Sequence, residues 1–172
     1  MDRPTRERYD GTARTQGNGG AATRQGNEAA TSMGGINPYI EQVKADLPRK
    51  PYTLTFVLGD SGQTRAVEVD PARLPYSHEG LPGSVLDIAM GAGVHLDHAC
   101  GGVAACSTCH VILERGIETC NGIADAEEDM LDMAPGLTAT SRLGCQCIPN
   151  GTAEVRVRIP TWNRNAVAEG SH

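Results

Sequence analysis

His98-Ala99-Cys100-Gly101-Gly102-Val103-Ala104-Ala105-Cys106-Ser107-Thr108-Cys109-His110 places three cysteines within a short loop of small side chains. A further cysteine, Cys145, arrives after 35 intervening residues. Thiols crowded this way bind a metal, form disulfides or carry out redox chemistry. Small side chains let the backbone wrap closely, so that its amide N–H groups turn toward negative charge. A cluster of iron, sulfide and thiolate carries such charge.

Working outward, the chain has 172 residues and reads as one domain plus extensions. Apolar residues make up 39%, but with one Phe, one Trp and four Tyr, aromatic packing does not dominate the core. Six cysteines are too few for a disulfide-dense mini-protein. No N-terminal segment has the apolar region of a signal peptide, and no run approaches the ~20 apolar residues of a membrane span. The expectation is a soluble, reduced, cytoplasmic monomer with no membrane partner. Its close-set cysteines then read as metal ligands rather than disulfides.

Charge is unevenly spread. The net charge is −6, yet residues 1–50 hold eight Lys/Arg against six Asp/Glu. Residues 51–172 hold seven against fifteen, and no Lys. Phosphate binding needs a basic surface, so a nucleic-acid partner is not expected. A basic protein partner fits better.

Residues 1–32 lack large apolar side chains and read as disordered, within an N-terminal extension of residues 1–50 that is disordered or weakly ordered. From Ile36 to Leu47 a short amphipathic piece is expected, with Ile40, Val43 and Leu47 on one side. Tyr52 to Leu58 and Thr64 to Val69 alternate around the turn Gly59-Asp60-Ser61-Gly62, which predicts a β-hairpin. A loop with three prolines spans Pro71 to Gly83. Ser84 then caps a helix carrying Val85, Leu86, Ile88 and Ala89. Val111 to Leu113 is a short strand. Asp125-Ala126-Glu127-Glu128 opens a second helix with a capping-box-like pattern. Cys145 to Ile148 and Ala153 to Ile159 read as the last strands. The main domain covers residues 51–162 and a C-terminal tail covers 163–172. The pattern predicts an α+β fold: a mixed sheet crossed by one helix.

The cysteine spacing is C-x5-C-x2-C-x35-C. Four thiolates are the ligand set of an iron–sulfur cluster. Zinc would use two C-x2-4-C knuckles, and only Cys106 with Cys109 makes one. Cys106-Ser107-Thr108-Cys109-His110 also matches the haem motif C-x-x-C-H, but that use leaves Cys100 and Cys145 idle. Thiol exchange of the thioredoxin kind wants the pair at a helix N-terminus after a strand, whereas here a glycine-rich loop precedes it.

At these residues the chain resembles a known family, the vertebrate-type 2Fe-2S ferredoxins: adrenodoxin, putidaredoxin and the ferredoxins of iron–sulfur cluster assembly. The resemblance rests on Cys100, Ala105-Cys106-Ser107-Thr108-Cys109-His110, Glu127 to Met133, Gly136-Leu137 and Ser141-Arg142-Leu143-Gly144-Cys145-Gln146. It covers about residues 52–169. It implies a β-grasp fold and a 2Fe-2S cluster ligated by Cys100, Cys106, Cys109 and Cys145. It also implies one-electron carriage without catalysis by the protein itself. Cys120 and Cys147 lie outside that ligand pattern and read as free thiols. If Cys145 to Cys147 is extended, the two side chains face the same way, so that in a mutant Cys147 could substitute as a ligand. His110 reads as a structural, hydrogen-bonded histidine, and His95 and His98 as loop residues.

Asp125, Glu128, Asp129 and Asp132 share one helical face, flanked by Glu127. No Lys or Arg lies between Arg115 and Arg142 to neutralise them. A solvated face is the plain alternative. In the family this helix docks onto basic patches of a reductase and of acceptors. By position the docking residues are Asp125, Glu127, Asp129 and Asp132. The resemblance implies electrons received from an NAD(P)H-dependent ferredoxin reductase. Ile159-Pro160-Thr161-Trp162-Asn163-Arg164-Asn165 is similar to the tail of the assembly-type ferredoxins, which points to the iron–sulfur assembly machinery as acceptor. Alternatives are donation to a cytochrome P450 or other oxygenase, or a structural or sensory iron–sulfur or zinc module. Pro135, the long Pro71–Gly83 loop and the N-terminal 50 residues depart from the relatives' pattern and leave the partner open.

Overall fold

The computed structural model describes residues 37–161. In chain order the strands and helices are β1 (Tyr52–Leu58), β2 (Gln63–Val69), α1 (Val85–Gly91), β3 (His110–Arg115), α2 (Asp125–Leu131), β4 (Ser141–Leu143) and β5 (Val155–Ile159). Short 3-10 turns at Gly59–Ser61, Pro71–Arg73 and Ile117–Thr119 punctuate them.

The alternating Tyr52–Val69 segment forms the expected antiparallel hairpin, with Phe56 opposite Arg65. Strand β5 lies parallel to β1 and antiparallel to β3, and β4 pairs antiparallel with β3. The sheet order is β2-β1-β5-β3-β4. The last strand therefore sits in the middle of the sheet. Period-two burial follows its sequence: Val155, Val157 and Ile159 face the core, while Arg156 and Arg158 face outward and pair with Glu114 of β3.

Helix α1 lays its apolar side on the sheet. Val85, Leu86, Ile88 and Ala89 are buried in one cluster with Leu54, Phe56, Val111 and Val157. Ser84 caps it as its sequence predicts, Oγ accepting from Asp87 N at 3.2 Å. A mixed sheet covered by this helix is the β-grasp arrangement.

Three expectations change. Residues 37–48 contain neither helix nor strand, so the amphipathic piece is irregular chain, with Ile40 and Val43 half-buried and Leu47 exposed. Helix α2 has no capping box: Ala124 is the N-cap, and the Glu127 carboxylate turns inward instead. Cys145 to Ile148 is not a strand. Gln146 N and Cys147 N both return to Leu143 O at 3.0 Å, closing a turn.

That turn completes the N-terminus of α1, whose first amides have no partner within the helix. Leu86 N donates to Gly144 O at 2.9 Å and Val85 N to Cys147 O at 2.9 Å. Leu81 N reaches Cys145 O at 3.0 Å. The carbonyls that a strand would use for pairing are thus occupied by the helix and its leading loop. The residues read as the N-terminal tail up to 32, and the tail from Trp162, lie outside the described residues.

Candidate metal-cluster site

The loop between α1 and β3 folds on itself through its own polar groups. Gly101 N donates to His98 O at 2.8 Å, Ala99 N to Thr108 Oγ1 at 2.8 Å, and His110 N to Ser107 O at 3.1 Å. Gly102 has φ +81°, and a Cβ there would stand 2.3 Å from Gly80 N. Only glycine admits that approach. Gly144 plays the same part from the other side: a Cβ would meet Cys109 O at 3.0 Å, and its amide donates to that oxygen at 2.8 Å. Gly102 thus sets the loop against Gly80, and Gly144 sets the Cys145 turn against Cys109.

The four cysteines meet as two pairs. Cys100 and Cys106, both half-buried, stand close enough to shift each other's ionisation. Cys109 and Cys145, both fully buried, do the same. Cys106 also acts on Cys109 through its charge, which links the pairs. Among the described residues no three His, Cys, Asp or Glu side chains already converge as a closed metal site.

Backbone amides supply the polarity that the loop composition implies. Thr108 Oγ1 lies 3.2 Å from Cys106 Sγ and Gln146 Nε2 donates to Cys145 Sγ at 3.6 Å, while the amides of Ala105 and Val103 near Cys100, of Thr108 near Cys106 and of Ala104 near Cys145 favour the thiolates. The Cys109 hydrogen bond favours the Cys145 thiolate and lowers its pKa against the burial that opposes it. The same bond pushes the Cys109 thiol well up. Burial also works against the Cys106 thiolate, but hydrogen bonds from Thr108 and Cys100 outweigh it and lower its pKa. Burial raises Cys100. Four thiols, several held under amide donors, suit a group that binds thiolates and spreads negative charge over sulfur.

Around this site the packing is ionic as well as apolar. Arg142, 2% exposed, donates from Nε and Nη2 to Glu127 Oε1 and Oε2 at 2.7 and 2.9 Å. Glu127 Oε1 also accepts from Leu143 N at 2.9 Å, and Arg142 Nη1 donates to Asn121 O at 2.8 Å. Helix α2 therefore holds the strand that leads into Cys145. His110 is buried, with Nε2 2.7 Å from Ser141 Oγ, as expected of a structural histidine. His98 Nδ1 lies 2.7 Å from Leu96 O and His95 Nε2 2.9 Å from Asp97 Oδ1, both within the loop.

Residues 78–150 match the 2Fe-2S iron-sulfur cluster binding domain family. A 2Fe-2S ferredoxin of Haemophilus influenzae is 47% identical over 89 residues, covering 52% of this chain and 78% of that one. The mitochondrial adrenodoxin homolog of Saccharomyces cerevisiae is 38% identical, covering 72% and 66%. Among solved structures, the ISC-like 2Fe-2S ferredoxin of Pseudomonas putida is similar with TM-score 0.52 and 34% identity, covering 63% of this chain and 92% of that one. The chain belongs to the adrenodoxin-type 2Fe-2S ferredoxins.

As a ferredoxin it is an electron carrier rather than an enzyme, and its cofactor is a 2Fe-2S cluster. Such a cluster takes up and releases one electron. No helix among the described residues is long and apolar enough to cross a membrane.

One of the sequence-derived docking residues is corrected. Glu127 is 1% exposed and spent on Arg142, so it offers no charge to a partner. A sequence signal existed: Glu127 stands four residues before buried Leu131 and so shares its face. Asp125, Glu128, Asp129 and Asp132 are exposed, and among the described residues none forms an ion pair. Asn121, which carried no sequence signal, also supports the site: its Oδ1 accepts from Ile148 N at 2.7 Å and its Nδ2 donates to Gln146 O at 3.1 Å.

Proposed function

We propose that Cys100, Cys106, Cys109 and Cys145 ligate the cluster, that an NAD(P)H-dependent ferredoxin reductase supplies the electron, and that the iron–sulfur assembly machinery receives it. What supports the ligand assignment is the bond from Gly144 N to Cys109 O at 2.8 Å, which joins the cysteine loop to the Cys145 turn, together with the mutual influence of the Cys100–Cys106 and Cys109–Cys145 thiols. Cys100 and Cys106 lie toward the surface, where electron exchange is shortest. Cys109 and Cys145 anchor the site in the core. The Cys145 turn is tied to α1 and the loop backbone to itself, so the ligands move little when the charge changes.

The docking face is Asp125, Asp129 and Asp132, with Glu128 beside them. These acids are exposed and none is in an ion pair among the described residues, Lys44 being the basic residue that shares a cleft with Asp125 and Asp129, which suits a basic partner surface. Exposed Met133 and Leu137 extend the patch with apolar area. Similarity to an ISC-like ferredoxin supports the assembly pathway. The test reconstitutes electron flow from a ferredoxin reductase to the full chain and then to either acceptor. Faster turnover with purified assembly proteins than with a cytochrome P450 supports the proposal. The reverse order sinks the assembly reading while leaving the ligand assignment standing.

A further inference from the structure

The two remaining cysteines form a third thiol pair, separate from the four just described. Cys120 follows the Ile117–Thr119 turn, and Cys147 ends the turn after β4. An isolated antiparallel bridge between Cys120 and Pro149 brings the segments together. Asn121 N donates to Ile148 O at 3.2 Å, and Asn150 N donates to Thr119 O at 2.9 Å. The Asn121 side chain adds its bonds to Ile148 and Gln146. The two segments are therefore clamped on both sides of the sulfurs.

The two thiols differ in access. Cys147 is fully buried in the core, and Cys120 packs against that same core. Cys120 is half-buried, with Sγ 3.6 Å from Gly116 O. It lines a surface cleft of about 110 Å³ with Lys44, Thr119, Asn121 and Ile148. A water occupies about 30 Å³. The cleft thus admits hydrogen peroxide and a few waters. The neighbouring Cys147 thiol holds the Cys120 pKa below its ordinary value against burial, and the Arg142 charge helps.

We propose that Cys120 and Cys147 are a redox-active dithiol, a modification site for a small peroxide. In the first step Cys120 sulfur attacks hydrogen peroxide. An S–O bond forms, the O–O bond breaks, and water leaves with the thiol proton, giving the Cys120 sulfenic acid. In the second step Cys147 sulfur attacks Cys120 sulfur. An S–S bond forms, the S–O bond breaks, and a second water leaves with the Cys147 proton. The dithiol gives up two electrons and one peroxide becomes two waters. The resulting disulfide closes the segment that carries α2, β4 and Cys145, so a two-electron event would constrain the one-electron site without touching its four thiols.

The test uses the full-length, cluster-loaded protein, reduced, freed of small thiols and given one equivalent of hydrogen peroxide. It is then denatured in excess maleimide and digested for mass spectrometry. The expected product is a linked Cys120–Cys147 peptide pair, lighter by two hydrogens and restored by dithiothreitol, with the visible spectrum retained. In Cys147→Ser, Cys120 should be trapped by dimedone as the sulfenic acid. In Cys120→Ser, Cys147 should remain a thiol. Full maleimide labelling of both residues after peroxide overturns the proposal, as does loss of the visible spectrum before the linked pair appears. The wild-type digest decides this by itself if a variant fails to fold.

Discussion

Replacing Glu127 by alanine separates two meanings of an acidic residue on α2. If Glu127 were a surface docking group, its loss would change stability by no more than about 0.5 kcal/mol. The structure gives it a different part. Its carboxylate neutralises Arg142, which is 2% exposed, and accepts the Leu143 amide. Removing one partner of a buried pair costs about 3–5 kcal/mol because the other charge is left uncompensated. The orphaned Leu143 amide adds to that cost. At a few degrees per kcal/mol for a domain of this size, the melting point should fall by roughly 10–20 °C. Urea titration of the loaded protein, followed by circular dichroism and visible absorbance together, measures the loss. The double variant Glu127→Ala with Arg142→Met removes both charges and should recover much of it. A single variant within ~0.5 kcal/mol of wild type would refute the buried-pair reasoning and return Glu127 to the docking face.

Other outcomes are expected. Cys145→Ser should lose or alter the visible cluster spectrum, whereas Cys147→Ser should leave it unchanged; normal iron, sulfide and spectrum in Cys145→Ala would overturn the ligand assignment. Reversing Asp129 and Asp132 to Lys should slow reductase-driven reduction roughly tenfold at low salt and flatten its ionic-strength dependence. An unchanged stopped-flow rate would count against docking there. The Glu114 pKa is lowered: burial opposes ionisation, but hydrogen bonds from Arg156 and Arg158 outweigh it. Between the unfolded value of 4.5 and the lower folded value, the unfolded chain binds the proton and the folded chain does not. Stability should therefore fall as pH drops through that window, and Glu114→Gln should remove this part of the acid sensitivity in denaturation curves.

The sequence was legible where one residue type has one physical use. The alternation from Tyr52 to Val69, the Ser84 cap and the small-residue cysteine loop all appear in the structure as read. It was misleading where a local pattern competed with a distant partner. Glu127 sits at the position from which a capping box would reach back, but Arg142, fifteen residues on, takes its carboxylate. Cys145 to Ile148 resembles strand sequence, yet its carbonyls serve the start of α1, some sixty residues earlier in the chain. The approach of the Cys120 and Cys147 segments has no local signature either, since it depends on bonds between residues 119–121 and 146–150.

The position of β5 has a consequence for biosynthesis. The hairpin of β1 and β2 can form soon after it leaves the ribosome, as can the β3–β4 pair. The two halves share no strand until residues 155–159 emerge and insert between them. Until then the cysteine loop and Cys145 lack the completed sheet beneath them. The full arrangement of the four thiols therefore waits on β5.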